Sequence, residues 1–223
     1  MEEYRAEAKN VNAFVSQVVN YVKSGHYFYV RCMIKDRKNQ KDPAEVDARV
    51  IEAYGIARKR WQRKRRHLKD NAGIHYLRYG KVYVMLLTKG KHKKFYEEHG
   101  ENVADIRRKG LSVFAYLIKY SYSEKEKRFK VSVRLNPEEV RKLEAHMLDL
   151  CTRDTYRRKE RMEREFSRLP YDVYSPVFEQ LLSIAKKVNR ERRKRGFEEI
   201  DLDCIPKFVS VQSIYKDAEP KAA

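Results

Sequence analysis

The chain has little cysteine. Cys32, Cys151 and Cys204 are all of it in 223 residues, widely spaced and with no CxxC. That pattern excludes a disulfide framework and a zinc knuckle, and the three read as ordinary thiols. No apolar run approaches the roughly 18 residues of a membrane span, and the opening MEEYRAEAKN lacks the charged-then-apolar layout of a signal peptide. No membrane partner is expected, and the expected compartment is the cytoplasm. Also missing are the GxxxxGK[ST] phosphate loop, a glycine-rich dinucleotide loop and the GxSxG elbow, so nucleotide hydrolysis and serine-hydrolase chemistry have no foothold. There is no internal repeat.

What the chain does have is positive charge. Lys and Arg number 51 against 32 Asp and Glu, a net +19. The stretch Ala57 to Lys69, ARKRWQRKRRHLK, holds eight of the cations, no acid and the single tryptophan. A helix here is positive around most of its circumference and cannot be buried whole. Phosphate is its natural partner, and sixteen Tyr with nine Phe supply flat faces for bases. Nucleic acid is therefore the expected partner, DNA ahead of RNA; the alternative for the stretch is a solvated basic helix. The candidate contacts there are Arg58, Lys59, Arg60, Trp61, Arg63, Lys64, Arg65, Arg66 and Lys69. A second patch comprises Lys89, Lys91, Lys93 and Lys94, and a third, in NRERRKRG, comprises Arg190, Arg192, Arg193 and Arg195.

Periodicity orders the elements. Ala13 to Lys23 has helical spacing and stops at Ser24-Gly25. His26 to Lys35 alternates, which predicts a strand with Phe28, Val30, Cys32 and Ile34 on one face and Tyr27, Tyr29 and Arg31 on the other. Tyr27, Tyr29 and Arg31 are candidate base and phosphate contacts, the two tyrosines serving as stacking faces if the ligand is RNA. Asp42-Pro43 predicts a capped helix broken at Gly55, whose acids Asp42, Glu45, Asp47 and Glu52 offset helix charge and pair with nearby Arg. Ile74 to Gly90 predicts a hairpin about Gly80, followed by a short helix around Phe95 to Glu98.

Leu111 to Glu124 is apolar enough for burial but ambiguous in type. Arg128 to Leu135 is a clearer strand. Asn136-Pro137 caps a long helix, Arg153 to Arg168 is a hinge or exposed helix, and Ser175 to Arg195 is a final helix whose apolar stripe needs a covering surface. That surface is either the first domain or another chain, so a protein partner or self-association is admitted. The predicted class is α+β, an antiparallel sheet packed by helices of ferredoxin-like type. Residues 1–152 form its nucleic-acid-binding domain, with core 26–135, and 153–223 a basic helical extension. His92 and His99 lie seven apart around Glu97 and Glu98; they read as surface histidines beside lysines, and no metal or other cofactor is expected.

Two segments resemble a family. YLIKY at Tyr116 to Tyr120, followed by a charged turn and FKVSVR, resembles the Y-x-x-K-Y segment of rolling-circle replication initiators. KVYVMLL at Lys81 to Leu87 resembles the strand on which those HUH endonucleases, and the REP-associated transposases, carry two His flanking an apolar residue. The resemblance covers about Tyr27 to Leu135. It implies a replication-initiator-like fold linked to a mobile element, with a divalent metal on the paired His polarising the scissile phosphate. The nucleophile is then Tyr116, with Tyr120 second, and Lys119 steadies the phosphate. Val82 and Val84 stand at the His positions and cannot bind a metal. The expectation is therefore a degenerate relative that keeps the DNA grip without cleavage; the alternatives are a tyrosine-dependent single-strand nickase or transposase, and an RNA-binding protein.

Overall fold

The computed structural model describes residues 4–34, 42–58, 61–62, 70–124, 126–207 and 213–215. Contacts divide the chain into two units, one drawn from 1–110, 119–131 and 212–223, the other from 111–118 and 132–211. That division differs from a boundary after 152. The helix following Asn136-Pro137 gathers with the C-terminal helices, because its apolar stripe is the surface they need.

In the first unit, α1 (Val11–Lys23) starts at Asn10, whose side chain accepts from the Ala13 amide. Strand β1 (Phe28–Met33) follows, then α2 (Pro43–Tyr54), capped by Asp42 at its start and by Gly55 in the left-handed region, φ 58°, at its end. Strands β2 (Ile74–Tyr79) and β3 (Val82–Leu87) turn at Gly80, φ 57°; α3 (Lys93–His99) leads to the short β4 (Ala104–Asp105). The sheet order is β2-β3-β1-β4, antiparallel throughout. The succession β-α-β-β-α-β with this split order is ferredoxin-like, and the α+β class stands.

Pairing puts Ile74, Tyr76 and Arg78 on one sheet face with Val30, Met85 and Leu87. This face packs on Tyr54, Ile56 and Phe95. Within it, the Arg78 guanidinium is 4% exposed and grips Asp47 of α2 at 2.8–3.0 Å, the Gly80 carbonyl at 2.9 Å and Glu7 at 3.0 Å, while the Tyr76 hydroxyl donates to Asp47 at 2.6 Å. Asp47 thus pairs with an arginine remote in sequence rather than a neighbour on its own helix. The opposite face carries Tyr29, His75, Leu77, Val84 and Leu86, and α1 packs against it on β2, Tyr21 stacking on His75 at 4.2 Å.

The ambiguous segment 111–124 is extended. β5 (Leu111–Val113) and β6 (Tyr116–Ser123) turn at Phe114, φ 51°, and β7 (Arg128–Leu135) completes a second sheet of order β5-β6-β7. In the second unit, α4 (Pro137–Cys151) packs against α6 (Ser175–Lys194), with α5 (Lys159–Ser167) between them in sequence. Val177, Leu181, Ile184, Ala185 and Val188 of α6 are all buried, as are Leu143, Met147 and Leu150 of α4. The stripe that needed a surface is covered within its own unit. Helix α5 is not wholly exposed, because Met162 and Phe166 are buried. No helix among the described residues is long and apolar enough to cross a membrane.

Candidate nucleic-acid interface

Residues two apart on a strand share a face, so Tyr116, Ile118, Tyr120 and Tyr122 line one side of β6. The first two are buried and Tyr122 is 46% exposed. Near the hairpin tip, Tyr120 stacks on Tyr27 with ring centres 4.8 Å apart and on Phe129 of β7 at 5.7 Å, and Tyr122 meets Phe129 edge-on at 5.4 Å. Phe129 is 61% exposed. Water is a poor neighbour for so much contiguous ring surface, and such patches mark binding sites.

A cation extends the row. The Arg107 guanidinium sits 4.8 Å from the centre of Tyr27 and 5.5 Å from that of Phe28. Asp105 holds it through Nε at 2.9 and 3.1 Å and Nη2 at 2.6 Å, and this bond keeps the Asp105 carboxyl below its ordinary range. A hydrogen bond with the Tyr120 hydroxyl, then burial, raises the Tyr27 phenol above its ordinary value. Lys119, Arg128 and Lys130 lie on the same hairpin; Arg128 and Lys130 share Glu126. Rings in a row with cations beside them suit unpaired bases whose phosphates run alongside.

Of the residues singled out in the sequence, Tyr27 belongs to this row and Arg31 is exposed. Tyr29 is a correction. It is 7% exposed and its hydroxyl donates to the Gly110 carbonyl, so it cannot meet a base. Trp61 is 59% exposed. The Arg58 Nε donates to the Gly55 carbonyl at 2.5 Å, closing the end of α2. Lys59, Arg60, Arg63, Lys64, Arg65, Arg66 and Lys69 lie outside the described residues. Lys89 and Lys91 are exposed; Lys93 and Lys94 pair with Glu97 and Glu98 at 3.8 Å, and Lys94 covers the Tyr54 ring.

Arg190, Arg193 and Arg195 are exposed, the last two paired with Glu199 and Glu191. Arg192 is the second correction. It is fully buried, donating to the carbonyls of Glu198 at 2.7 Å, Tyr156 at 2.6 Å and Arg157 at 2.9 Å. Burial lowers its pKa, and no phosphate can reach it.

Tyr116 is the third. It is 1% exposed, its oxygen accepts the Asp172 amide at 2.8 Å, and Tyr171 meets its ring edge-on. Burial raises its pKa, the opposite of what a nucleophile needs. Tyr120 is committed to the stack, and Lys119 points to the other face of β6. Val84 is buried on the sheet face it shares with Leu77 and Leu86. His92 accepts the Phe95 amide at the start of α3 and its Nε2 lies 3.2 Å from the Tyr54 carbonyl, while His99 Nε2 is 2.8 Å from the Tyr54 hydroxyl. Among the described residues no three His, Cys, Asp or Glu side chains gather as a metal-ligand set.

Sequence reasoning missed Tyr122, Phe129 and Arg107. The signal available for the first two was the apolar alternation that continues past the buried half of each strand, from Tyr116 to Tyr122 and from Leu135 back to Phe129. Arg107 had none. No protein-family model matches the chain, and no curated protein is significantly similar to it in sequence.

Proposed function

We propose that the protein binds single-stranded nucleic acid without cleaving it, stacking bases on Tyr27, Tyr120, Phe129 and Tyr122. The observation that carries this reading is the solvent-open ring row, with Phe129 61% and Tyr122 46% exposed and Arg107 at its end. Paired bases hide their faces inside the duplex, so the row favours single strands over double. The +19 net charge supplies the long-range attraction and the basic stretch 57–69 further phosphate contacts. A relationship to replication initiators and mobile elements remains part of this proposal, resting on the YLIKY and KVYVMLL segments and in keeping with the ferredoxin-like order. A covalent tyrosine mechanism is not favoured, because Tyr116 is buried and hydrogen-bonded.

Fluorescence anisotropy with labelled single-stranded DNA, single-stranded RNA and duplex DNA across a salt series tests it. With five or six phosphates engaged, log affinity falls against log salt with a slope of about −4 on single strands. Phe129→Ala and Tyr122→Ala each weaken single-strand binding about 5- to 150-fold, in line with about 1–3 kcal/mol per stacked base. A flat salt dependence, or parental affinity in both variants, overturns the reading.

A further inference from the structure

A groove of about 760 Å³ opens beside Arg107, between β4, the 107–109 loop and α3. Its size falls within the about 300–1,000 Å³ of small-ligand sites. Two aromatic rings line it. Phe28 is half-buried at the start of β1, under the guanidinium of Arg107; Tyr96, on α3, is 38% exposed. Three cations, Arg107, Arg108 and Lys109, face two carboxylates, Asp105 and Glu101. Asp105 is already neutralised by Arg107, through both side-chain oxygens and the Arg107 backbone amide at 2.9 Å. Arg108 and Lys109 are exposed on the rim. Asn102 adds an amide that can both donate and accept.

Aromatic walls with cations at the mouth are the complement of one nucleotide, a flat base attached to an anion. We infer that this groove is a second subsite, taking one unstacked nucleotide of the strand, its base against Tyr96 and Phe28 and its phosphate on Arg108 and Lys109. The inference rests on the proposed single-strand binding and deepens it. Arg107 joins the two places, since its guanidinium lies over Tyr27 of the ring row and also lines the groove. A strand crossing the row therefore meets the groove next, and its path turns about Arg107.

The experiment compares a short oligothymidylate of about 4 nucleotides with a longer one of about 12, a span chosen from the site sizes of stacking-type binders. The variants are Arg108→Gln/Lys109→Gln, Tyr96→Ala and, as a reference, Phe129→Ala. Circular dichroism of each confirms folding. Losing two phosphate contacts reduces the magnitude of the log–log salt slope on the longer oligonucleotide by about 1.4, with affinity about tenfold lower. Tyr96→Ala weakens the longer oligonucleotide about fivefold or more at unchanged slope. The short oligonucleotide, held by the ring row, responds only to Phe129→Ala. If the double variant and Tyr96→Ala both keep parental affinity and slope while Phe129→Ala loses affinity, the groove is not a subsite and the ring row stands. If the parent binds neither oligonucleotide, both proposals fail.

Discussion

Arg107 lies over the face of Tyr27, its guanidinium carbon 4.8 Å from the ring centre, while Asp105 holds the same guanidinium from the side. The carboxylate fixes the plane of the cation, and the ring gains a flat, charged neighbour whose orientation is settled before any ligand arrives. An ammonium in the same place is a point charge with no plane to present.

Arg107→Lys therefore keeps the charge and loses the geometry. Single-strand affinity should fall about two- to fivefold, matching about 0.5–1 kcal/mol for a surface cation–π contact, with the salt slope unchanged. Arg107→Ala should lower the affinity further. The Asp105 carboxyl is depressed by Arg107, so the pair's contribution is fully present above the ordinary Asp value of about 3.9 and is lost as pH falls through the depressed one. Binding measured from pH 5 to 8 should show no change attributable to this pair.

Tyr116→Phe removes the acceptor for the Asp172 amide inside the second unit. An unmet buried N–H costs about 1–3 kcal/mol, a loss of roughly 2–12 °C in melting temperature for a chain this size. Single-strand affinity should be unchanged, and no covalent protein–DNA adduct should form in parent or variant. An adduct present in the parent and absent in Tyr116→Phe would refute the non-cleaving reading.

Asp47→Ala should be among the most damaging single substitutions. It leaves the Arg78 guanidinium, 4% exposed, without its principal partner and strips the Tyr76 hydroxyl of its acceptor. Breaking a buried pair in this way costs about 3–5 kcal/mol, readable by urea denaturation. Replacing both members, as in Asp47→Leu/Arg78→Leu, should recover part of the loss, because no buried charge is then stranded.

Arg192 and its neighbours should separate in their effects. Arg192→Ala leaves three carbonyls without donors and should lower stability by at least about 2 kcal/mol while sparing affinity. Arg190→Gln/Arg193→Gln/Arg195→Gln, three exposed positions, should leave the melting temperature within a few degrees and flatten the salt slope if this end of α6 touches phosphate.

High pH should unfold the protein through its tyrosines. Burial raises Tyr76 and Tyr116 above the ordinary phenol value, which also makes the sign definite. The stability they contribute is complete below the unfolded value of about 10 and is lost as pH rises from there toward the folded values. Melting temperature should be level from pH 7 to 9 and fall above about 10, each such tyrosine removing up to about 1.4 kcal/mol per pH unit.

Much of the fold was legible because it is written in short-range chemistry. Asp42-Pro43, Gly55, Gly80 and Asn136-Pro137 mark the ends of elements through side-chain caps and left-handed turns that involve only a few adjacent residues. Alternation in β1 and β7 and helical spacing in α4 and α6 announce which residues seek cover, and with them the α+β class. The charge excess, with its candidate partner, is likewise a property of composition.

What covers each face was decided by segments remote in sequence. Tyr27 and Tyr29 look equivalent along the chain, yet Tyr29 is buried with its hydroxyl on the Gly110 carbonyl while Tyr27 joins Tyr120 in the open row. Tyr116 and Tyr120 share one strand face with opposite fates, because Asp172 and Tyr171 enclose the first while the second stacks on Tyr27 and Phe129. Arg192 is one arginine in a run of basic residues, and nothing local distinguishes it. Three carbonyls from other segments converge on its guanidinium and make burial of a charge tolerable. Local sequence thus determined which elements form and which residues need partners; only the tertiary structure decided which partner each one received, since burial and hydrogen-bond satisfaction depend on groups brought together from distant positions in the chain.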